Sequence, residues 1–184
     1  MKRILLIPVM AVAMITGNVV TSYAQKTVMV GGAAMYPTKN IVENAVNSKD
    51  HTTLVAAVKA AGLVETLEGA GPFTVFAPTN EAFDKLPAGT VDNLVKPENK
   101  ATLTKILTYH VVAGNLDSKA LMEKIKMGGG MAKLTTVQGE PLTVMMKGKH
   151  LEVKDAKGGV AMVTIKDVYQ KNGVIHVVDK VLMP

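Results

Sequence analysis

The hydrophobic pattern of this chain changes character along its length. Before about residue 127, apolar residues recur every three or four positions, as at Leu54, Val58 and Ala61, which places them on one face of a helix. From Lys133 onward, apolar and polar residues alternate, the period of a half-buried strand. Helices first and strands last predict an α+β fold rather than a regular alternation of strands and helices.

The helical period predicts a series of short helices, each with a start or stop signal in the sequence. The expected caps are Asn40, one of residues 50–53, Thr79 and Ser118, and Gly62 is suited to end the second helix. The predicted helices are 41–46, 54–61, 80–86, 90–95, 97–113 and 119–127.

One strand is predicted among the helices, and it organises the rest. Residues 73–76 combine aromatic and β-branched side chains, Pro78 has no N–H for a strand ladder, and Thr79 then opens a helix that Phe83 anchors. All three phenylalanines of the chain lie in this stretch, so we expect the core to be centred here. The later predicted strands are 134–137, 142–146, 151–154, 160–168 and 174–178, the last of them nearly all apolar and therefore central.

The first 24 residues have the pattern of a cleaved signal peptide. Lys2 and Arg3 precede an apolar run over 4–15, and Ser22-Tyr23-Ala24 supplies the small residues of a cleavage site before Gln25. The apolar run is shorter than the roughly 20 residues that a membrane-spanning helix needs. We therefore expect an exported protein, periplasmic or extracellular, without stable membrane insertion after cleavage. Residues 25–37 are expected to form a loose N-terminal arm, and 38–184 a single domain.

Charge and composition narrow the classes of partner. The formal net charge is +6 over 184 residues and falls to +4 when Lys2 and Arg3 are removed, because no acidic residue precedes Gln25. Every remaining basic residue is lysine, and there is no tryptophan. Nucleic-acid sites depend heavily on arginine forks and on aromatic stacking, so a nucleic-acid partner is excluded. With no cysteine in the chain, an exported domain of this size must be held together by its core alone.

The sequence carries no motif for catalysis. The mature chain has no cysteine nucleophile, and its only serines are Ser48 and Ser118. Both occupy cap-like positions, and neither lies in a Gly-x-Ser-x-Gly elbow. The carboxylates are interleaved with lysines, and no phosphate-binding loop or dinucleotide fingerprint is present. The sequence thus predicts no enzyme activity and no cofactor, and a secreted hydrolase stays a third class with no motif in its favour.

The histidines are interpreted as structural residues rather than metal ligands. His51 near a helix start is expected at the surface or as a cap, His150 is expected to be exposed, and His176 in an apolar strand is expected to be a satisfied core residue. His110 shares a helix face with Leu107, so we expect it to be buried and hydrogen-bonded. None has ligand spacing with another histidine.

Methionine offers the main alternative to a purely structural interpretation. Thioethers suit Cu(I), and several methionines fall in one region of the chain with a histidine near them. They are Met122, Met127, Met131, Met145 and Met146, with His150. Methionine is also an adaptable filler of cores, and this explanation is favoured. An exported protein that binds copper or a small apolar ligand remains the alternative function.

Three blocks of sequence resemble the signatures of the fasciclin (FAS1) domain family. The first is Thr-Val-Phe-Ala-Pro-Thr-Asn at 74–80, followed by Ala82 and Phe83. The second is Ile-Leu-Thr-Tyr-His-Val-Val at 106–112, and the third is Asn-Gly-Val-Ile-His-Val-Val-Asp-Lys-Val-Leu-Met-Pro at 172–184. Their order is that of the family, and the resemblance extends over residues 38–184.

The resemblance implies both a fold and a function. The fold would be a wedge of two β-sheets with the N-terminal helices packed along one side. The function would be that of a non-enzymatic adhesion module that contacts a cell-surface or matrix protein or carbohydrate. In animal members, a Tyr-His pair and an Asp-Ile pair are linked to integrin binding; here Tyr109 and His110 match the first, and Asp167 and Val168 stand at the second, with valine in place of isoleucine. These four are the candidate binding residues, although Tyr109 is also suited to the core.

Overall fold

The structure, a computed structural model, describes residues 27–184, so the predicted signal peptide lies outside the described residues. The helices are α1 Ile41–Ala45, α2 Thr52–Ala61, α3 Val64–Glu68, α4 Asn80–Asp84, α5 Thr90–Leu94, α6 Lys100–Tyr109 and α7 Ser118–Met127. The strands are β1 Val28–Val30, β2 Ala33–Met35, β3 Phe73–Pro78, β4 Val111–Ala113, β5 Met131–Thr135, β6 Pro141–Lys147, β7 His150–Lys154, β8 Val160–Gln170 and β9 Gly173–Val178. Single 3-10 turns at Lys49–His51 and Pro97–Asn99 precede α2 and α6.

The organising strand and its helix form as predicted. Strand β3 ends at Pro78, and the side chain of Thr79 accepts a hydrogen bond from the backbone N–H of Ala82, which caps α4. Strand β9 lies beside β3 in parallel, and all six of its residues are buried. The central position predicted for the last strand is confirmed, because β9 pairs with β3 on one side and β8 on the other.

Strand β8 joins two halves of one seven-stranded sheet, whose order is β4-β3-β9-β8-β7-β6-β5. Its first residues pair with β7, and residues from Val163 onward pair with β9, with register shifts between Val163 and Ile165 and between Ile165 and Val168. Such bulges bend a strand and increase its twist. The sheet curls until its edge strands approach, and Val112 of β4 forms a bridge with Thr136, which directly follows β5.

The two faces of β3 belong to two different hydrophobic clusters. Val75 and Ala77 pack with residues of α1, α2, α4 and α6 on the helical side, whereas Phe76 packs with residues of β5, β6, β7 and α7 between the two halves of the sheet. Side chains alternate along a strand, so one strand supplies both clusters. This arrangement confirms the α+β class, with two sheet halves and the N-terminal helices along one side.

The prediction of a loose arm over residues 25–37 is wrong for the residues that the structure describes. From residue 28 onward it forms the antiparallel hairpin of β1 and β2, and its inward-facing residues Val30 and Met35 are 4% and 3% exposed. Gly31 and Gly32, with φ of 57° and 76°, supply the left-handed conformations of its turn. The alternation Val28-Met29-Val30 is too short to predict a strand from the sequence. Burial against the helices is what stabilises the hairpin.

Two predicted boundaries are also corrected. The helix expected to continue to residue 113 ends at Tyr109, and Val111–Ala113 instead forms the edge strand β4 beside β3. The cap of α7 is Asp117, whose carboxylate accepts a hydrogen bond of 2.8 Å from the backbone N–H of Ala120, and Ser118 is the first helical residue. Short apolar runs are ambiguous between helix and strand, and pairing with β3 decides here.

The cap of α2 comes from a distant part of the chain. Oδ1 of Asn80 accepts hydrogen bonds from the backbone N–H of Thr53, over 3.0 Å, and from the hydroxyl of Thr52, over 3.2 Å. Its amide donates to the carbonyl of Lys49 over 2.8 Å. The side chain of Asn80 on α4 thereby caps the start of α2. The sequence predicted that one of residues 50–53 would do so.

Within residues 27–184, no helix is long and apolar enough to cross a membrane.

Candidate binding site

Tyr109, the first candidate binding residue, lies in the interior. Its side chain has no exposed surface, and its hydroxyl donates to the carbonyl of Pro141 over 2.9 Å and accepts from the backbone N–H of Ala156 over 2.8 Å. Burial raises the pKa of Tyr109, so the phenol stays protonated and able to donate. The residue therefore joins the end of α6 to the start of β6 and to the turn after β7.

His110 is also interior and is held at both ring nitrogens. Nε2 accepts the backbone N–H of Leu182 over 3.0 Å, so Nδ1 carries the proton and donates to the carbonyl of Ile106 over 2.9 Å. Burial lowers the pKa of His110 to about 4, and the ring is neutral at pH 7. The predicted structural hydrogen-bonding role of His110 is confirmed.

Asp167 sits at the bend of β8 in a left-handed conformation, with φ of 60°. Its carboxylate accepts from the backbone N–H of Ser118 over 2.6 Å and from the hydroxyl of Ser118 over 2.5 Å. Aspartate is one of the few residues other than glycine that adopt this conformation readily. The strand bend is thus tied to the start of α7, and the carboxylate is half-buried.

Val168 completes the predicted set and is 1% exposed, paired with Ile175 of β9. An internal chain of contacts connects the two predicted pairs. The carbonyl of His110 accepts from the N–H of Phe76, the Phe76 ring stacks on His176 with centroids 5.7 Å apart, and Nδ1 of His176 faces the N–H of Asp167 at 3.4 Å. The four residues are linked through the core but do not share an exposed surface.

The exposed feature nearest to Asp167 is a shallow cleft of about 170 Å³ between α7, β8 and the turn from β6 to β7. We call it the basic cleft. It is lined by Ser118, Met122, Met146, Lys149, His150, Leu151, Val163, Thr164 and Lys166. Lys149, His150 and Lys166 are exposed, and among the described residues that line it there is no carboxylate. The cleft can therefore offer several N–H donors and positive charge to an anionic group.

The wall of the basic cleft is rigidly tied to the central sheet. Nε2 of His176 donates to the carbonyl of Leu116 over 2.8 Å, and the hydroxyl of Tyr169 donates to Asp117 over 3.1 Å. Burial and the hydrogen bond to Asp117 raise the pKa of Tyr169 to about 12. These contacts fix residues 116–118, on which α7 and the Asp167 contact depend. The satisfied core role predicted for His176 is confirmed.

The methionines of the copper alternative are divided between two places. Met122 and Met146 line the basic cleft together with His150, which is exposed as predicted. Met131 and Met145 are paired across β5 and β6 on the other face of the sheet, and Met127 is 80% exposed. Within residues 27–184, no group of three or more histidine, cysteine, aspartate or glutamate side chains is arranged to hold a metal ion.

The surface position expected for His51 is wrong; the residue stands at the N-cap position of α2, but its side chain makes no cap hydrogen bond. The residue is 3% exposed, with Nδ1 hydrogen-bonded to the hydroxyl of Ser48 over 2.9 Å. Ser48 directly precedes the 3-10 turn Lys49–His51, which the polar segment 47–53 did not reveal. The three-residue spacing of Ser48 and His51 is the only sequence signal of their contact. Because Ser48 is itself 2% exposed, this serine–histidine pair lies in the interior rather than at the surface.

Comparison with known proteins agrees with the fold and the three sequence blocks. A family model described as the fasciclin domain matches residues 49–184. Protein sll1483 of Synechocystis sp. is 46% identical over 162 residues, which cover 87% of this chain and 82% of that protein. The immunogenic protein MPB70 of Mycobacterium bovis is 40% identical over 143 residues, which cover 75% of this chain and 65% of that protein.

A solved structure of a FAS1 domain pair from the insect cell adhesion molecule Fasciclin I has the same fold. It superimposes with a TM-score of 0.70 at 18% sequence identity, over 79% of this chain and 51% of that chain. At this level of identity, the similarity concerns the fold.

Proposed function

The chain belongs to the fasciclin domain family, and on that premise we propose that it is an exported adhesion module that binds an acidic carbohydrate of a cell surface or matrix. Proteins with fasciclin domains include adhesion-related extracellular proteins, among them the insect cell adhesion molecule with the same fold. Export is supported by the signal-peptide pattern of residues 1–24. In this proposal the protein binds through its surface and turns over no substrate.

The basic cleft is the observation that carries the proposal. Lys149, His150 and Lys166 present donors around one concavity, and the carboxylate of Asp167 next to it is engaged by Ser118. Sulfate or uronate groups supply the matching negative charge and acceptor oxygens. The positive net charge of the mature chain also favours a negatively charged partner.

The four predicted binding residues take different parts in this proposal. Asp167 is a positioning residue, because it holds the start of α7 against the strand that carries Lys166. Tyr109, His110 and Val168 are buried, so their contribution to attachment is through the stability of the fold. A partner protein with an acidic surface is the competing occupant, and the experiment below separates the two.

Attachment of coated beads to immobilised polysaccharides tests the proposal. Beads carrying the mature protein are expected to adhere to a sulfated or uronic-acid polysaccharide but not to its desulfated or carboxyl-reduced form. Adhesion should weaken between about 0.05 and 0.5 M salt, because the Debye length shrinks over this range from more than 10 Å to a few ångströms. Lys149→Gln combined with Lys166→Gln should weaken adhesion about tenfold.

The matched control is Lys59→Gln, since Lys59 is an exposed lysine on α2, away from the cleft. Equal adhesion to charged and neutral polysaccharides would contradict the proposal. So would adhesion only to an acidic protein, or turnover of a glycan or peptide by the wild-type protein.

Binding of Cu(I) is the second candidate function, favoured by one observation. Met122, Met146 and His150 line the same cleft, and two thioethers with an imidazole form a suitable ligand set for a soft monovalent cation. The two lysines at the same cleft oppose a cation, which is why an anionic partner ranks first. Titration with Cu(I) under reducing conditions decides: this function requires stoichiometric binding that Met146→Leu abolishes and that Met29→Leu, in β1, leaves unchanged.

A further inference from the structure

A second concavity lies inside the molecule, between the N-terminal helices and the helical side of the central strands. It has a volume of about 50 Å³. Its wall is formed mainly by aliphatic side chains, among them Ile41, Leu54, Val75 and Ile175. No lysine, aspartate or glutamate of the described chain lines it. This internal cavity is separate from the basic cleft and shares no lining residue with it.

His51 gives the internal cavity its one unmet polar group. Within residues 27–184, Nε2 of His51 is the only buried side-chain nitrogen or oxygen without a hydrogen-bond partner. The hydroxyl of Ser48 holds Nδ1 on the other side of the ring at 2.9 Å, which fixes the ring in place. The backbone of Ala77 lies close enough to raise the pKa of the ring but does not satisfy Nε2.

A buried nitrogen without a hydrogen-bond partner destabilises a folded protein, because the group has lost its hydrogen bonds to water and gained none in return. His51 is 3% exposed, so bulk water does not offset that cost. Desolvation lowers the pKa of His51 despite the nearby Asp50, and the ring in the cavity wall is neutral at pH 7. Neutral imidazole presents at Nε2 either one N–H or one lone pair, depending on which nitrogen carries the proton.

These features define the chemistry of an occupant. A hydroxyl group both donates and accepts, so it satisfies Nε2 in either tautomer. A carboxylate would bring a charge into an apolar cavity with no cation to pair with it, which is strongly unfavourable. A hydrocarbon without a polar group would leave Nε2 unsatisfied. The match is therefore a neutral molecule with one hydroxyl and an apolar body.

We infer that the internal cavity is a binding site for a small neutral alcohol, whose hydroxyl bonds to Nε2 of His51. One water-sized group needs roughly 10–15 Å³ of such volume, so the cavity holds about four non-hydrogen atoms. The half-buried Ala45 on α1 and Val55 on α2 also line it. This inference stands independently of the proposed adhesion.

Titration of the mature protein with straight-chain alcohols from methanol to octanol tests the inference. Methyl NMR signals of Leu54 and Ile175 and the ring nitrogen signals of His51 are the readouts. We expect saturable shifts at all three residues, with the apparent Kd falling as the chain lengthens to about four non-hydrogen atoms in total, the number that the cavity volume admits. Acetate, which has the same number of non-hydrogen atoms as 1-propanol but a charged end, should cause no saturable shift.

Variants separate the hydrogen bond from the cavity. His51→Phe keeps a ring in place without Nε2 and should weaken 1-propanol binding about tenfold, the value of one hydrogen bond of about 1.4 kcal/mol. Ala45→Leu should abolish binding by filling space, and it keeps the test valid if His51→Phe does not fold. His150→Phe, a matched change in the basic cleft, should leave the Kd unchanged.

Three results would overturn the inference. The first is the absence of saturable shifts at His51 with any alcohol of the series. The second is binding of acetate as tight as that of 1-propanol. The third is a crystal structure at saturating 1-propanol in which Nε2 is satisfied by a single water molecule and no alcohol is present in the cavity.

Discussion

The backbone N–H of Leu182 donates a hydrogen bond of 3.0 Å to Nε2 of His110, across a sequence separation of 72 residues. His110 follows directly after α6, and Leu182 lies in the segment after β9, where it is 1% exposed. The same ring donates to Ile106 through Nδ1. One imidazole therefore joins the C-terminal segment to the helical layer, and both of its nitrogens are needed.

Replacing His110 by alanine should destabilise the fold. The change leaves the Leu182 N–H without its acceptor in a buried site, and the expected loss in the free energy of unfolding is about 1–3 kcal/mol. Urea denaturation of His110→Ala and of the exposed control His150→Ala measures it. An unchanged midpoint for His110→Ala, combined with lost adhesion, would instead make His110 a contact residue.

Acidification should destabilise the protein through its buried histidines. Burial lowers the pKa of His51, of His110 (to about 4) and of His176. The unfolded chain, with histidine pKa near 6.5, therefore binds protons more readily than the folded one. The contribution that these neutral, buried histidines make to the free energy of unfolding is therefore fully present above pH 6.5. It is lost as the pH falls from 6.5 through the folded pKa values. For His110 alone the loss between pH 6.5 and 4 is about 3 kcal/mol.

The measurement for this pH dependence is a series of urea denaturation curves between pH 4 and 8 at constant ionic strength. Each histidine that takes up a proton on unfolding adds a slope of about 1.4 kcal/mol per pH unit. A free energy of unfolding that is constant between pH 4.5 and 6.5 would contradict the prediction. The control variant His150→Gln should follow the wild-type curve.

Tyr109→Phe tests whether Tyr109 is a contact residue or a core residue. The substitution removes one hydroxyl that bonds to Pro141 and Ala156, and we expect a loss of about 1–3 kcal/mol in stability. Adhesion per folded molecule should not change, because the side chain has no exposed surface. Tyr36→Phe, at an exposed tyrosine of the N-terminal region, is the control. Normal stability with weakened adhesion would refute the core assignment.

Asp167→Asn should weaken adhesion while keeping the backbone of β8. Asparagine tolerates the left-handed conformation at φ of 60°, but it lacks the charge that strengthens both hydrogen bonds to Ser118. We expect adhesion to acidic polysaccharide to fall about threefold as the link between α7 and β8 loosens. Bead adhesion and thermal unfolding are compared with Asp92→Asn on α5. Stronger adhesion would show that the negative charge repels the partner and that Asp167 does not act by positioning.

Export should yield a mature chain that begins at Gln25. Ser22 and Ala24 supply the small residues that a signal peptidase requires. Intact-mass measurement of protein from the periplasm or the medium determines the first residue directly. Ala24→Tyr should block cleavage, whereas Tyr23→Phe should not. Exported wild-type protein that retains residues 1–24 would identify the segment as an anchor.

The sequence by itself determined the elements whose local signals agree. The hydrophobic period, the cap at Thr79 and the turn at Asn172-Gly173 predicted β3, α4 and β9 correctly, because each signal acts within a few residues. The change of period after Lys133 predicted the four strands before β9 for the same reason, although β5 spans Met131–Thr135 rather than the predicted 134–137. The three sequence blocks were sufficient to recognise the family, and the folded chain brings these blocks together.

Tertiary structure decided what depends on distant partners. Residues 111–113 became strand β4 because β3 offered them a ladder, and α2 is capped by Asn80 rather than by its own neighbours. His51 was expected at the surface or as a cap because its segment is polar, yet it is 3% exposed and lines one cavity with Val30 and Met35 of the hairpin. Burial and long-range hydrogen bonding are properties of the packed chain, and no local pattern encodes them. The basic cleft and the internal cavity are therefore features of the tertiary structure.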